Sequence, residues 1–348
     1  MELTERIESF ARLGKFLRDF SENKITDSPF SEKLTHIVQN DHIYNPWFTE
    51  QNIRQAISAI GNSLTDKNIK KWLSAYPELA KKTNSKKIGV VTAGNLPLVG
   101  FHDLISVLIS GNIFIAKLSS KDNRLMQFIS DFLKNDNKEF GKLIFFEENQ
   151  LKNFDAIIAT GSNNTSRYFE YYFGKYPHII RRNRNSTAVL TGNENNNQLK
   201  FLADDIFQYF GLGCRNVSKL FVPEGYPFDL FFENIKHYQH LYNHNKYANN
   251  YDYNRSVFLM NQISHLDNGF ILLKEDIQMA SPIGVIYFEY YKNLNHVNEF
   301  IQLNKNQIQC IVSESNQIKN AIPFGKAQQP ELWDYADNVD IVEFLLNL

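Results

Sequence analysis

The chain has 348 residues, enough to bury a sizeable core and to form about two domains. Its 37 basic and 38 acidic side chains leave a formal net charge of −1, so there is no global basic field for a nucleic-acid polymer or an anionic membrane. Two cysteines, Cys214 and Cys310, exclude a disulfide scaffold and a multi-cysteine metal site, and they fit a reducing compartment.

Residues 1–80 read as helices. Leu3, Ile7, Phe10, Leu13 and Leu17 recur at three- and four-residue steps, the pattern of an amphipathic helix and not of a signal peptide. Ile53, Ile57, Ile60 and Leu64 form a second stripe, and Ile69, Trp72, Leu73 and Tyr76 a third. The polar, basic stretch 81–87 reads as a surface connector. The pattern then changes. A β-branched run at 88–92 is followed by a helical stretch at 96–110 that stops at Gly111. A strand at 113–118, a helix at 125–133 and a strand at 143–146 come next. A strand at 156–160 runs into Gly161-Ser162 and a helix ending at Phe173. The apolar stretch 88–118 is broken by Asn95, His102, Asp103, Asn112 and Lys117, so it reads as a buried strand–helix–strand unit and not a membrane span. Further strands are predicted at 188–191, 220–222, 270–273, 285–288 and 308–312, with a helix at 199–210 and a loop at 193–197. Strands alternating with helices of this length predict an α/β protein with a mainly parallel sheet. No membrane insertion and a cytoplasmic location are expected.

The best local chemical signal is Gly211-Leu212-Gly213-Cys214-Arg215-Asn216, a loop between a helix and a strand. A thiol flanked by glycine is accessible, and Arg215 beside it favours the nucleophilic thiolate. The competing reading is a small inert residue in a tight turn. Cys310, among apolar neighbours in a predicted strand, reads as core. In Thr92-Ala93-Gly94-Asn95-Leu96-Pro97, Asn95 is either a helix N-cap or an amide donor to an oxyanion. Lys117-Leu118-Ser119-Ser120-Lys121 lies at the carboxyl end of a strand, where α/β sheets bind ligands. Gly161-Ser162 opens a helix, a position suited to phosphate. The Gly-x-Gly-x-x-Gly fingerprint is absent. Arg181, Arg182 and Arg184 form a basic cluster, either a solvated face or a phosphate clamp for cofactor or CoA. His237, His240 and His244 lack a carboxylate partner and read as a surface helix end, so no metal site is expected. The 28 Phe and 17 Tyr fit either compositional bias or an apolar cleft.

Together these motifs resemble the aldehyde dehydrogenase superfamily. Thr92–Pro97 is similar to its Pro-Trp-Asn-Phe-Pro strand end, and 111–120 to its Gly-Asn-x-x-x-x-Lys-Pro-Ser-Glu segment. Thr160-Gly161-Ser162 is similar to its Thr-Gly-Ser turn, 211–214 to its Gly-Gln-x-Cys loop, and Pro323-Phe324-Gly325 to its late Pro-Phe-Gly. Within it, Gly-Leu-Gly-Cys-Arg-Asn-Val-Ser-Lys-Leu and the tail from Leu332 to Asp337 are most similar to the acyl-CoA reductase family, which includes the fatty-acid reductase of bacterial bioluminescence. The resemblance spans roughly residues 86–348; residues 1–80 match only loosely.

The resemblance implies an N-terminal helical region (1–85), a Rossmann-type cofactor domain (86–195), an α/β catalytic domain carrying the thiol (196–322) and a C-terminal segment returning to the cofactor domain (323–348). It implies that Cys214 takes the acyl group from a thioester. The oxyanion hole would be Asn95 with the Cys214 backbone N–H. It places a dinucleotide on Thr92, Lys117, Ser119, Ser120, Lys121, Gly161, Ser162 and Arg181, with Lys117 on the ribose and Ser162 on the pyrophosphate. Oxidising members carry a water-activating Glu where this chain has Arg181, which suits a reductase whose acyl-enzyme must not be hydrolysed. The family's cofactor-side Glu is Ser120 here, followed by Lys121, which favours NADPH over NADH. The second Gly of the family's Gly-Ser-x-x-x-Gly turn is Ser166. The reading is NADPH-dependent reduction of an acyl-CoA, or of a thioester on a carrier protein or acyl synthetase, to an aldehyde, in a homo-oligomer. The alternatives are an aldehyde dehydrogenase working oxidatively and a non-catalytic acyl or nucleotide binder.

Overall fold

A computed structural model of the chain describes residues 1–25, 27–81 and 84–348. Lys82 and Thr83 of the predicted connector therefore lie outside the described residues. The chain divides into two compact units, one of residues 1–182 with 331–348, the other of residues 183–330.

The first unit begins with four helices, α1 (Leu3–Ser21), α2 (Pro29–Asn40), α3 (Glu50–Ser63) and α4 (Asp66–Leu73). Local capping sets three of their starts: the hydroxyls of Ser28, Thr49 and Thr65 accept the N–H of Ser31, Asn52 and Asn68 at 3.1, 3.2 and 3.1 Å. Then come β1 (Lys87–Val91), α5 (Phe101–Ile109), β2 (Ile113–Lys117), α6 (Arg124–Asp136), β3 (Ile144–Phe146), β4 (Ala156–Thr160), α7 (Asn163–Phe173) and β5 (His178–Arg181). The strands form one parallel sheet in the order β3-β2-β1-β4-β5. Gly111, at φ +79°, ends the α5 segment as expected, because only glycine takes that left-handed turn at little cost.

The N-terminal helices and this sheet share a single core. Phe10, Leu17, Ile53 and Trp72 lie in one buried cluster with Ile88, Val90 and Ile158 of the strands. An amphipathic stripe must be covered, and α1 is covered by α3, α4, α5 and α6, which share its core with the sheet. The α1 residue Arg6 also donates from Nη1 to the Leu108 carbonyl at the end of α5, at 3.3 Å. The tail returns to this unit, where the Trp72 indole donates to the Tyr335 hydroxyl at 2.6 Å and a short helix, Ile341–Leu346, adds Ile341, Val342 and Leu345 to the core.

The second unit holds β6 (Asn185–Val189), α8 (Asn196–Phe207), β7 (Val217–Pro223), α9 (Phe228–Ile235), α10 (Asn245–Met260), β8 (Leu266–Asp267), β9 (Leu272–Glu275), β10 (Val285–Tyr291), α11 (Leu294–Leu303) and β11 (Ile308–Val312). Its sheet runs β11-β6-β7-β10-β9-β8 and is parallel except for the β8–β9 pair. Two expected boundaries therefore move. The first unit ends at Arg182 and not at 195, because β6 pairs with β7 and β11. The return begins at Glu331 and not at 323, because the backbone N–H of Gly325 and Ala327 donate to the Asp205 carboxylate at 2.7 and 2.9 Å.

Candidate active site

In the first unit, the loops after β1, β2 and β4 all leave the carboxyl ends of parallel strands, and the strand order reverses between β1 and β4. That is the topological switch point at which such sheets bind ligands. The loops are tied together. The Thr92 hydroxyl accepts the Ser119 N–H at 3.2 Å, and the buried Asn45 donates to the carbonyls of Gly94 and Lys121 at 3.3 and 3.4 Å. Gly94 is obligatory here, since a Cβ would run into the Ser119 hydroxyl and lie 2.6 Å from Ser119 Cβ. Asp122 is buried and accepts the N–H groups of Leu98 and Val99; burial holds its carboxyl well above the usual carboxylate range.

Helix α5 starts at Phe101 behind an N-cap at Gly100, so Asn95 sits exposed in the turn ahead of the helix and is not its cap. Lys117 is exposed at the end of β2, and Ser120 and Lys121 are exposed along the loop after it. Ser162 caps α7, its hydroxyl accepting the Thr165 N–H at 3.2 Å, and Gly161 precedes it. Hydroxyls, two lysines and a helix N-terminus around a glycine cradle form a donor set suited to a phosphorylated nucleotide.

Arg181 corrects an expectation. Its guanidinium is buried and bidentate to Asp103 on α5, at 2.7 and 2.9 Å, and it also reaches the Thr160 hydroxyl at 3.3 Å. A guanidinium committed to a buried carboxylate is a structural ion pair and not a phosphate clamp. Nor do its neighbours form a cluster with it: Arg182 pairs with Glu170, and Arg184 donates to the carbonyls of Lys305 and Ile308, both at 3.4 Å.

In the second unit, Cys214 is exposed in the loop between α8 and β7. The backbone ahead of it is unusual. Tyr209, Phe210 and Gly211 take left-handed φ values of 53°, 59° and 74° in succession. For Tyr209 and Phe210 that costs about 1–2 kcal/mol each. Packing holds them there: both rings are buried, and Phe210 lies 4.4 Å from the His244 ring. Asn216 latches the loop. Its Oδ1 accepts the Gly213 N–H at 2.8 Å, and its Nδ2 faces the carbonyls of Asp205, Ile206 and Gln208 at 3.1, 3.2 and 2.9 Å. Arg215 donates from Nε to the Ala327 carbonyl at 2.5 Å. A small cavity of about 40 Å³, lined by apolar side chains together with Ser218 and Ser281, lies beside Phe207, Phe210, Gly211, Tyr247 and Ile283.

Cys310 is only half-buried and is not a core residue. It lies on β11, which forms the edge of its sheet, and its Sγ is 3.1 Å from the Ser186 hydroxyl. Sequence reasoning missed Ser186, Asn216, Asn45 and Asp103. Asn216 had a local signal, its place beside the cysteine loop; the other three touch partners far along the chain. His237 and His240 each face a backbone carbonyl through Nδ1, and His244 Nδ1 accepts the Tyr247 N–H. Among the described residues, no group of three or more His, Cys, Asp or Glu could hold a metal ion, and no helix is long and apolar enough to cross a membrane.

A family model described as acyl-CoA reductase (LuxC) matches residues 7–229. Solved structures with a similar fold include aldehyde dehydrogenase 21 from Physcomitrella patens in complex with succinate (TM-score 0.66, 12% identity, covering 100% of this chain and 84% of that one). A NAD-dependent benzaldehyde dehydrogenase from Corynebacterium glutamicum is similar over 93% of this chain and 80% of that one (TM-score 0.63, 12% identity). An NADP-dependent glyceraldehyde-3-phosphate dehydrogenase from Bacillus halodurans C-125 complexed with NADP is similar over 90% and 75% (TM-score 0.58, 15% identity). At these identities the likeness shows the fold. No curated protein matches the sequence.

Proposed function

Because the chain belongs to the acyl-CoA reductase (LuxC) family, we propose that it reduces an acyl thioester to the aldehyde through a covalent intermediate on Cys214. The observation that carries the reading is the exposed Cys214 thiol in a loop held by Asn216, following a strained left-handed turn. Such rigid, strained backbone is characteristic of reacting groups. The Cys214 thiolate attacks the thioester carbonyl, a new carbon–sulfur bond forms, and the bond to the CoA sulfur breaks as CoA leaves as a thiolate that takes up a proton. The backbone N–H of Cys214 and the side-chain amide of Asn95 are assigned as donors to the carbonyl oxygen while it carries negative charge. Thr92, Lys117, Ser119, Ser120, Lys121, Gly161 and Ser162 would hold a nicotinamide dinucleotide, which would supply the hydride. Collapse of the resulting tetrahedral centre frees the aldehyde and returns the Cys214 thiolate.

Two features support this direction and this cofactor. The position that carries the water-activating Glu in oxidising members of the superfamily is Arg181, a guanidinium ion-paired with Asp103, and a guanidinium cannot serve as a general base. Ser120 and Lys121 replace a carboxylate by a hydroxyl and a cation, which favours the 2′-phosphate of NADPH over the free ribose of NADH. The donor is CoA, a carrier protein or an acyl synthetase, and the protein works in the cytoplasm as a homo-oligomer.

The test is purified protein with acyl-CoA esters of short, medium and long chain and either NADPH or NADH, followed at the nicotinamide absorbance with aldehyde trapping. NADPH consumption matched by trapped aldehyde is expected, with acyl labelling of Cys214 lost in Cys214→Ala. No consumption with any donor overturns the reading, and full activity of Cys214→Ala overturns the mechanism.

A further inference from the structure

The β6 strand is interrupted at Ser186 on both sides. Against β11, Asn185 pairs with Ile308 but Thr187 pairs with Ile311, so β11 carries one residue more than β6 between those pairs. Against β7, Ser186 pairs with Val217 but Thr187 pairs with Lys219, so β7 carries an extra residue too. Bulges cluster beside active sites, where they re-aim a side chain or end the pairing. Here the side chain of Ser186 takes up the bonds that the ladder gives up. Its hydroxyl donates to the Cys214 carbonyl at 2.9 Å and accepts the Cys310 N–H at 3.1 Å, and the Cys310 Sγ lies 3.1 Å away. Ser186 is fully buried.

Proton counting settles the roles. A serine hydroxyl has one proton and two lone pairs. The proton goes to the Cys214 carbonyl and one lone pair takes the Cys310 N–H, which leaves a lone pair for the Cys310 thiol, whose single proton is shared between Ser186 and the Arg215 carbonyl. The Cys310 thiol also lies 3.9 Å from the Arg215 carbonyl. Two consecutive carbonyls of the nucleophile loop, those of residues 214 and 215, thus face one hydroxyl and one thiol.

We propose that Ser186 is a positioning residue for Cys214, and that the Cys310 thiol, acting as a proton donor, completes the clamp by which β6 and the bulged strand β11 hold the nucleophile loop. This rests on the proposed reading of Cys214 as the nucleophile. The clamp touches Cys214 through its backbone carbonyl. Its role is to keep the Cys214 backbone oriented while the tetrahedral centre forms, so it acts on turnover and not on substrate binding.

Ser186→Ala, Cys310→Ala and Cys310→Ser are compared with the parent enzyme. Ser186→Ala loses all three contacts and is expected to lower kcat about tenfold with KM for acyl-CoA within twofold. Cys310→Ala keeps the bond to Cys214 and is expected to lose about threefold, and Cys310→Ser, which keeps a donor, to stay within twofold of the parent. Two readouts need no turnover: amide hydrogen exchange over residues 213–216, expected to speed up at least tenfold in folded Ser186→Ala, and alkylation of Cys310 resolved by mass spectrometry, expected to speed up to the same degree. Unchanged exchange and unchanged Cys310 alkylation in folded Ser186→Ala overturn the clamp. A rise in KM with kcat unchanged overturns the positioning role. If the parent enzyme turns over no thioester, the reaction assigned above fails while exchange and alkylation still decide the clamp.

Discussion

Replacing Asn216 tests how the nucleophile loop is held. Its amide has two protons, which face three carbonyls at 2.9–3.2 Å, and its Oδ1 takes the Gly213 N–H at 2.8 Å. Asn216→Ala therefore removes about three hydrogen bonds at a buried position, which at roughly 0.5–1.5 kcal/mol each amounts to about 2–4 kcal/mol. Asn216→Asp is nearly isosteric and keeps an acceptor for Gly213, but it turns a carboxylate oxygen towards three carbonyls. The carboxyl must then bind a proton to stay in place, so its folded pKa lies above the unfolded value. Stability of Asn216→Asp is highest at low pH and falls as pH rises from the unfolded pKa through the folded one. Tryptophan fluorescence is the wrong probe, because Trp47, Trp72 and Trp333 all belong to the first unit. Amide exchange over residues 205–216 is the right one. Protection there is expected to drop roughly 30- to 1000-fold in Asn216→Ala, and by more in Asn216→Asp at pH 8 than at pH 5. Protection within threefold of the parent in both variants, or no pH difference in Asn216→Asp, refutes the latch.

Gly94→Ala drives a methyl group into Ser119 and is expected to weaken binding of NADPH at least tenfold by calorimetry, while circular dichroism stays that of the parent. Asp103→Ala leaves the Arg181 guanidinium buried without its carboxylate and is expected to destabilise the first unit by about 3–5 kcal/mol in urea melts followed by tryptophan fluorescence. The double change Asp103→Leu with Arg181→Met is expected to recover most of that loss. Burial raises the Asp205 carboxyl to about 7, against the opposing pull of the Gly325 and Ala327 N–H groups. The folded state then holds a proton that the unfolded state has lost between about pH 4 and 7. Stability therefore falls as pH rises through that window, by no more than about 4 kcal/mol from this group. Asp205→Asn is expected to flatten that slope in amide exchange of the second unit measured at pH 5 and pH 8.

The sequence by itself determined what is local. Helix stripes such as Phe10, Leu13 and Leu17, the stop at Gly111 and the cysteine between Gly213 and Arg215 all rest on spacing and backbone preference within a few residues. So did the placing of Thr92, Lys117 and Gly161 at strand ends, which needed only the alternation of strand and helix. Tertiary structure decided what depends on partners distant in the chain. Arg181 looked like a surface cation because its neighbours are cations, but Asp103, 78 positions earlier, takes it into the interior. Cys310 looked like core because its neighbours are apolar, but strand order sets it at an edge, against a hydroxyl 124 positions away. The helical region merged with the first sheet for the same reason. Burying an apolar face requires a cover, and which face supplies it is settled by the packing of the whole unit and not by the residues alongside.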